Sequence, residues 1–129
     1  MKKKVIIILI VLVIIFFIVF NLTSSPLKVK TKFLKDNNEY KNVKISDIKD
    51  IHVNNYTESG LDSNIVTNKK EIKELYEKLI NIKYGNETKK ACEDNSVIYI
   101  INLKNGKYKT VTIECDWIII GEKRFEIIK

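Results

Sequence analysis

An unbroken apolar run, Val5–Phe20, is the feature that most limits how this chain can fold, and it directly follows Met1-Lys2-Lys3-Lys4. As a helix, the 16 residues of the run measure about 24 Å, and Asn21-Leu22 extends this to about 27 Å, close to the ~30 Å hydrocarbon core of a bilayer. A helix that is hydrophobic on every side needs lipid or a large apolar core around it, and the remaining sequence is too polar to provide that core. We therefore interpret residues 5–22 as a transmembrane helix.

The same N-terminal region is similar to an export signal, which signal peptidase removes from many exported proteins. Signal peptidase needs small residues at the first and third positions before the cut. The nearest match, Thr23-x-Ser25, is followed by Pro26, which is a poor context for cleavage. We therefore predict an uncleaved signal anchor, with a cleaved signal as the alternative. Because a four-residue charged tail is hard to translocate, we expect a single-pass protein of the cell membrane with residues 1–4 in the cytoplasm and the C-terminal domain outside.

The positive charge of the chain is concentrated beside the apolar run. The net charge is +7, yet the residues from Ile45 onward carry equal numbers of basic and acidic side chains. Anionic lipid head groups attract nearby lysines by about 1 kcal/mol each, although ordinary solvated lysines would occupy the same places. Because the folded part has no basic surplus, we predict no nucleic-acid partner. The predicted lipid head-group contacts are Lys2, Lys3, Lys4, Lys28, Lys30 and Lys32.

A change of composition divides the rest of the chain. Residues 23–40 are polar and Lys-rich and are interpreted as a stalk, whereas residues 41–129 are interpreted as one extracytoplasmic α+β domain. Loose alternation of apolar residues predicts a strand over 48–56. Residues 58–64 are rich in turn formers and are predicted to be a turn before a short strand over 65–67.

The clearest element of the domain is a helix after Asn68. This residue is a natural N-cap, and Glu71 lies at the capping-box position three residues later. The apolar residues that follow recur at helical spacing, and Gly85 fits the position that ends a helix. The predicted apolar stripe consists of Ile72, Leu75, Tyr76, Leu79 and Ile82.

Two hairpins are predicted in the last third of the chain. Asn105-Gly106 is typical of a two-residue type I′ turn between strands over 96–104 and 107–115. That turn would place Ile98 opposite Ile113 and Ile100 opposite Val111 on the core side, and Tyr99, Tyr108 and Leu103 on the other side. Residues 117–120 and 124–128 form the second hairpin. The predicted fold class is therefore α+β: an N-terminal transmembrane helix, then one small domain with a helix packed on an antiparallel, hairpin-rich sheet of four to six strands.

Cys92 and Cys115 are the only cysteines. In the predicted hairpin a loop can bring them together, and a disulfide would stabilise the domain by about 3 kcal/mol. Two unpaired thiols are the alternative. The two cysteines and the single histidine lack the spacing of metal ligands, so we predict no metal and no cofactor.

No catalytic motif emerges from the sequence, and we expect the protein not to be an enzyme. His52 lies near Asp50, but an alternating strand points it away from the core and no nucleophile motif accompanies it. Candidate interaction residues are Tyr99, Tyr108 and Trp117, because aromatic residues dominate binding hot spots. Ordinary packing within the domain is the alternative for all three.

The layout of the chain resembles that of small single-anchor envelope proteins of low-GC Gram-positive bacteria. The residues that carry the resemblance are the Met-Lys-Lys-Lys start, the Ile/Val run, the Lys-rich stalk and a helix-and-hairpin unit that ends in residues 117–125. It implies a membrane-anchored envelope protein and assigns no role to any residue.

Three functions agree with this layout. The first is a membrane-anchored extracytoplasmic binding domain that engages a protein, a peptide or an envelope component. The second is a structural subunit of a membrane complex that is contacted through the transmembrane helix. A self-protection protein against a membrane-active peptide or toxin is a narrower version of the first.

Overall fold

The computed structural model describes residues 2–24 and 31–129. Its first element is helix α1 (Lys2–Ser24), which includes the whole apolar run. The side chains from Val5 to Phe20 are exposed rather than buried within the protein, and the helix is long and apolar enough to cross a membrane. These properties support a single-pass membrane anchor. Lys28 and Lys30, two of the predicted lipid contacts, lie outside the described residues.

The described part of the domain contains a second helix and eight strands in one antiparallel sheet. In chain order the elements are β1 (Lys32–Phe33), β2 (Ile48–Thr57), β3 (Gly60–Val66), α2 (Lys69–Ile80), β4 (Lys83–Thr88), β5 (Ser96–Leu103), β6 (Tyr108–Glu114), β7 (Trp117–Ile120) and β8 (Lys123–Ile127). Two 3₁₀ helices, Leu34–Asp36 and Ile45–Asp47, precede β2. The sheet order is β1-β4-β8-β7-β6-β5-β2-β3. The α+β fold class is confirmed, with more strands than predicted.

Helix α2 packs on one side of the sheet, as its apolar stripe predicts. Asn68 is the N-cap, and its side-chain oxygen accepts from the backbone N–H groups of Lys70 and Glu71. Ile72, Tyr76 and Leu79 are buried. They join a single core that includes Ile48, Ile51, Val66, Ile101, Leu103, Val111 and Ile118 from the sheet. One side of the sheet is therefore the core side.

The helix ends earlier than its periodicity predicts. Asn81 is the C-cap, and Gly85 lies within β4 rather than at a helix end. Tyr84 on β4 is buried and lies opposite Ile127 on β8, so pairing with the sheet extends the backbone before the glycine is reached. Tertiary pairing here overrides the local helix signal.

The folded domain begins before the predicted boundary at residue 41. Leu34 and Tyr40 are 0% and 3% exposed and belong to the core, although both lie within the predicted stalk. The backbone N–H of Leu34 donates to the carbonyl of Ile82, and Lys32 lies in β1 opposite Tyr84. The Lys-rich segment thus contributes core residues and an edge strand, so its last ten residues are not a stalk.

The hairpin at Asn105-Gly106 exists, but its register differs by one residue from the prediction. Gly106, at φ +84°, donates its N–H to the carbonyl of Leu103, and the N–H of Leu103 donates to Lys107. This is a three-residue loop in which glycine takes the left-handed conformation, rather than a two-residue type I′ turn. Tyr99 therefore lies opposite Val111, and Ile98 lies opposite Thr112.

In the observed register, the side chains of β5 lie on the opposite faces of the sheet from those predicted. Tyr99 and Ile101 now lie on the core side with Val111, whereas Ile98 and Ile100 lie on the opposite side. The predicted assignment of Ile98 and Ile100 to the core is wrong for this reason.

Candidate functional site: the open face of the sheet

The side of the sheet opposite α2 is the candidate functional site, and we call it the open face. It is formed by alternate residues of β2, β3, β5, β6, β7 and β8. Its side chains are Asp50, His52, Asn54, Tyr56, Leu61, Ser63, Ile65, Ser96, Ile98, Ile100, Asn102, Tyr108, Thr110, Thr112, Glu114, Trp117, Ile119, Arg124 and Glu126.

Apolar side chains form the middle of the open face. Ile98 and Ile100 on β5 are half-buried, and Ile65 on β3 is 54% exposed. Trp117 and Ile119 add apolar side chains on β7, and Glu114 and Thr112 of β6 lie between these two residues and β5. An antiparallel sheet with one face on the core usually carries polar residues on its other face. The centre of a protein contact surface is depleted in charged residues, and partly exposed apolar side chains interspersed with uncharged polar ones in that position have this composition.

The charge of the open face differs from that of the whole chain. The chain has 23 basic residues, of which Arg124 is the only arginine. None of the side chains named above is a lysine, and Lys83, which is on the same side of the sheet, lies outside this set on β4, beside the edge strand β1. A lysine-rich composition that reflected codon usage alone would place lysines on this exposed surface as well. Lysine is depleted at protein–protein interfaces because its desolvation is costly. The open face therefore has the composition of a contact surface.

A small polar network lies at one end of the open face. The carboxylate oxygen Oδ1 of Asp50 accepts a hydrogen bond of 2.7 Å from the side-chain amide of Asn102, and lies 3.3 Å from Nε2 of His52. His52 itself lies between Ile65 and Ile100 in the neighbouring strands. His52 points away from the core, as predicted, and its polar contact is with a carboxylate.

The opposite end of the open face is acidic. Nε of Arg124 lies 3.1 Å from a carboxylate oxygen of Glu114, and this pair crosses β7 beside Trp117. A depression of about 180 Å³ adjoins this end. Its lining includes Tyr56, Ser96, Glu58, Glu93 and Asp94.

A disulfide joins Cys92 to Cys115 at the same end, with the two Cα atoms 6.1 Å apart. The backbone N–H of Cys115 donates to the carbonyl of Asn95. Cys115 has φ +50°, a left-handed conformation that is unusual for a residue with a side chain. Because Cys92 precedes β5 and Cys115 follows β6, the disulfide attaches the loop before β5 to the turn between β6 and β7. The loop before β5 contains Glu93 and Asp94.

The structure separates the three predicted interaction residues. Tyr108, at 65% exposed, and the half-buried Trp117 lie on the open face. Tyr99 lies on the core side, packed against the core, and burial raises its pKa. The prediction that Tyr99 and Tyr108 share a face is wrong because it relied on the type I′ register. The sequence pattern places Ile98 and Ile100 in the core because their faces depend on that register, and it predicts no face for Ile119.

A second concavity, of about 310 Å³, lies between the 3₁₀ helix Ile45–Asp47, β2 and the start of α2. Ile48 and Ile72 contribute to its apolar lining, and Lys49, Lys69 and Lys104 surround it. It shares no residue with the open face. Within residues 2–24 and 31–129, no group of three or more His, Cys, Asp or Glu residues is placed to hold a metal ion.

Comparisons with known proteins found no matching family model, no matching curated protein and no matching solved structure.

Proposed function

We propose that the protein is a membrane-anchored binding module whose domain lies outside the cytoplasmic membrane and contacts a protein or peptide through the open face. The observation that carries the proposal is the apolar, lysine-free surface around Ile98, Ile100 and Trp117 in a lysine-rich chain. Trp117 and Tyr108 supply the aromatic side chains that dominate binding energy at such surfaces.

Two observations support the extracytoplasmic side. Lys2, Lys3 and Lys4 precede the apolar helix, and positive residues are retained on the cytoplasmic side of a membrane. The disulfide between Cys92 and Cys115 requires an oxidising compartment to persist. Both observations support an extracytoplasmic domain.

The charge of the open face indicates the chemistry of the partner. Glu58, Glu93 and Asp94 surround the depression at one end, and the apolar surface begins beside it at Tyr56. A partner with apolar side chains next to basic groups complements both features. A cationic amphipathic peptide, the target expected of a self-protection protein, has this combination.

The alternative function, a subunit held in a membrane complex by its helix, has less support. The segment from Val5 to Phe20 contains only Val, Ile, Leu and Phe, and so lacks the small or polar residues through which membrane helices usually pack. Replacement of this segment with an unrelated apolar helix of equal length separates the two functions. A binding module keeps its function after the exchange, whereas a subunit recognised through its helix loses it.

Site-specific photocrosslinking in native membranes tests the proposal directly. A benzophenone amino acid replaces Tyr108 or Tyr56 on the open face, and a matched probe replaces Lys78 on the exposed side of α2. We expect one defined adduct from the open-face positions and none from Lys78. Mass spectrometry then identifies the neighbour. An adduct from Lys78 without one from Tyr56 or Tyr108 would contradict the proposal.

A further inference from the structure

Strand β3 forms an edge of the sheet and lacks the features that usually protect an edge. It pairs with β2 alone, over seven residues and without a register shift. Natural edge strands are commonly short, bulged, or interrupted by lysine or proline, because an unprotected edge pairs with other chains. The sequence of β3, Gly-Leu-Asp-Ser-Asn-Ile-Val, contains neither residue, and Asp62 is its only charge. The other edge strand, β1, has two residues.

The backbone groups that β3 presents outward can be identified from its register. Thr57 lies opposite Gly60 across a two-residue turn, so this closing pair is hydrogen-bonded. Bonded pairs alternate along an antiparallel ladder, so Gly60, Asp62 and Asn64 direct their N–H and C=O groups to β2. The alternate residues Leu61, Ser63 and Ile65 therefore direct theirs away from the sheet. Among the described residues, no backbone hydrogen bond from outside the sheet reaches these three.

The outward-directed residues Leu61, Ser63 and Ile65 can pair with the same three residues of a second copy of the chain. When two copies of β3 run antiparallel with Ser63 opposite Ser63, Leu61 lies opposite Ile65 of the second copy. All three outward-directed residues then form hydrogen-bonded pairs, and each pair exchanges two backbone bonds. Asp62 lies opposite Asn64 of the second copy rather than opposite a like charge.

Other registers are less favourable. A shift by two residues in one direction places Asp62 opposite Asp62, and like charges directly opposite each other destabilise a sheet. A shift in the other direction places Ile65 opposite Ser63 and leaves Leu61 without an apolar partner. The Leu61 and Ile65 side chains are 57% and 54% exposed. The register with Ser63 opposite Ser63 pairs them with each other and therefore removes the most apolar surface from water.

We propose that β3 pairs with β3 of a second copy of this chain, with Ser63 opposite Ser63, so that the sheet and its open face continue across a dimer. The contact is one strand wide and is smaller than a typical stable interface. Anchoring of both copies in one membrane raises their effective concentration and compensates for the small contact. The inference goes beyond the proposed function and depends only on the edge strand.

Cysteine crosslinking of the full-length protein in membranes tests the dimer. Hydrogen-bonded antiparallel residues have Cα atoms about 5.5 Å apart, within the range that a disulfide spans. Ser63→Cys is therefore expected to form a disulfide-linked dimer under mild oxidation. The matched control is Asn64→Cys on the same exposed strand. In the proposed register Asn64 lies opposite Asp62 of the second copy, so the two introduced cysteines do not face each other. Equal crosslinking of both variants, or crosslinking of Asn64→Cys alone, would overturn the proposal.

A second pair of variants tests the apolar contact. Introduction of Leu61→Lys and Ile65→Lys into Ser63→Cys is expected to reduce the dimer at least tenfold. Asn38→Lys with Asn86→Lys adds the same charge at exposed sites away from β3 and is expected to leave the dimer unchanged. A mixed disulfide between Ser63→Cys and another protein, in place of the dimer, would show that β3 pairs with a foreign strand and would also overturn the proposal.

Discussion

The hydroxyl of Tyr40 donates a hydrogen bond to the backbone carbonyl of Thr110 on β6, although the two residues are 70 positions apart. Thr110 lies beyond the last residue of β6 that pairs with β7, so the sheet leaves its carbonyl available. Tyr40 is 3% exposed and fills the core beside this point. The segment that follows the anchor is thereby attached to the sheet by both packing and a hydrogen bond.

We expect Tyr40→Phe to destabilise the domain by about 1 to 2 kcal/mol, because the change leaves a partly buried carbonyl without its donor while the ring still packs. The free energy of unfolding in denaturant measures this. Tyr108→Phe is the matched control, and its hydroxyl is on a 65% exposed side chain. Equal stability of Tyr40→Phe and the wild type would show that the hydrogen bond contributes nothing.

The stability of the domain is expected to fall at alkaline pH. Burial, with a smaller effect of the neighbouring Glu39 charge, raises the pKa of Tyr40 to about 12. The folded state thus favours the protonated phenol, and its stabilisation is complete below the ordinary tyrosine pKa of about 10. It is then lost between about pH 10 and 12, at about 1.4 kcal/mol per pH unit for this group.

Denaturant unfolding at several alkaline pH values measures this slope, and tyrosinate absorbance follows the titration itself. Tyr40→Phe should make the free energy of unfolding less dependent on pH in this range. A smaller pH dependence should remain, because burial also raises the pKa of Tyr76. Parallel curves for Tyr40→Phe and the wild type would show that another group is responsible.

Local signals in the sequence were sufficient for α2 and for the existence of the last two hairpins. Asn68 forms the predicted cap, and the apolar stripe through Ile72, Tyr76 and Leu79 is the buried face. Each of these signals lies within a few residues of the element that it specifies. Capping and helical spacing are local properties, so tertiary structure was not needed to find them.

The faces of β5 could not be predicted in the same way. Residues 97–101 are Val-Ile-Tyr-Ile-Ile, so both faces of the strand are apolar and alternation does not distinguish them. The predicted faces of β5 therefore depend on the length of the turn, and Asn105-Gly106 is compatible with both a two-residue and a three-residue loop. The faces of Ile98 and Ile100 follow from that single choice, which is why these two residues are predicted in the core rather than on the open face.

The sequence predicts only a short strand over 65–67 where β3 runs from Gly60 to Val66, and it predicts a stalk where the segment before β2 joins the core, for a different reason. The polar run Leu61-Asp62-Ser63-Asn64 contains residues that favour turns, and an edge strand with both faces exposed has no apolar alternation. Leu34 and Tyr40 are isolated apolar residues in a Lys-rich segment. Their burial depends on contacts with distant strands, which no local pattern contains.

Loss of the disulfide is expected to cost about 3 kcal/mol, because Cys92 and Cys115 close a loop with a sequence separation of 23. The double variant Cys92→Ser/Cys115→Ser should therefore unfold at lower denaturant than the wild type. Reduced wild-type protein should match the variant, which provides the control. If the wild type in native membranes reacts with a thiol reagent before reduction, the cysteines are unpaired and the proposed extracytoplasmic location loses one of its two supports.

Adjacent residues on β7 should separate stability from binding. Ile118 is 0% exposed and belongs to the core, whereas Trp117 lies on the open face. Ile118→Ala is expected to cost about 2 to 5 kcal/mol of stability, because it opens a cavity in the core.

Trp117→Ala removes a side chain from a half-exposed surface, so it should cost less stability than Ile118→Ala and yet greatly reduce the photocrosslinked adduct formed from Tyr108. Unfolding measurements and adduct yield are compared for the two variants at a temperature where both are folded. An adduct that decreases only in proportion to lost stability would mean that the open face acts as a scaffold, whereas loss of the adduct in folded Trp117→Ala assigns partner binding to that face.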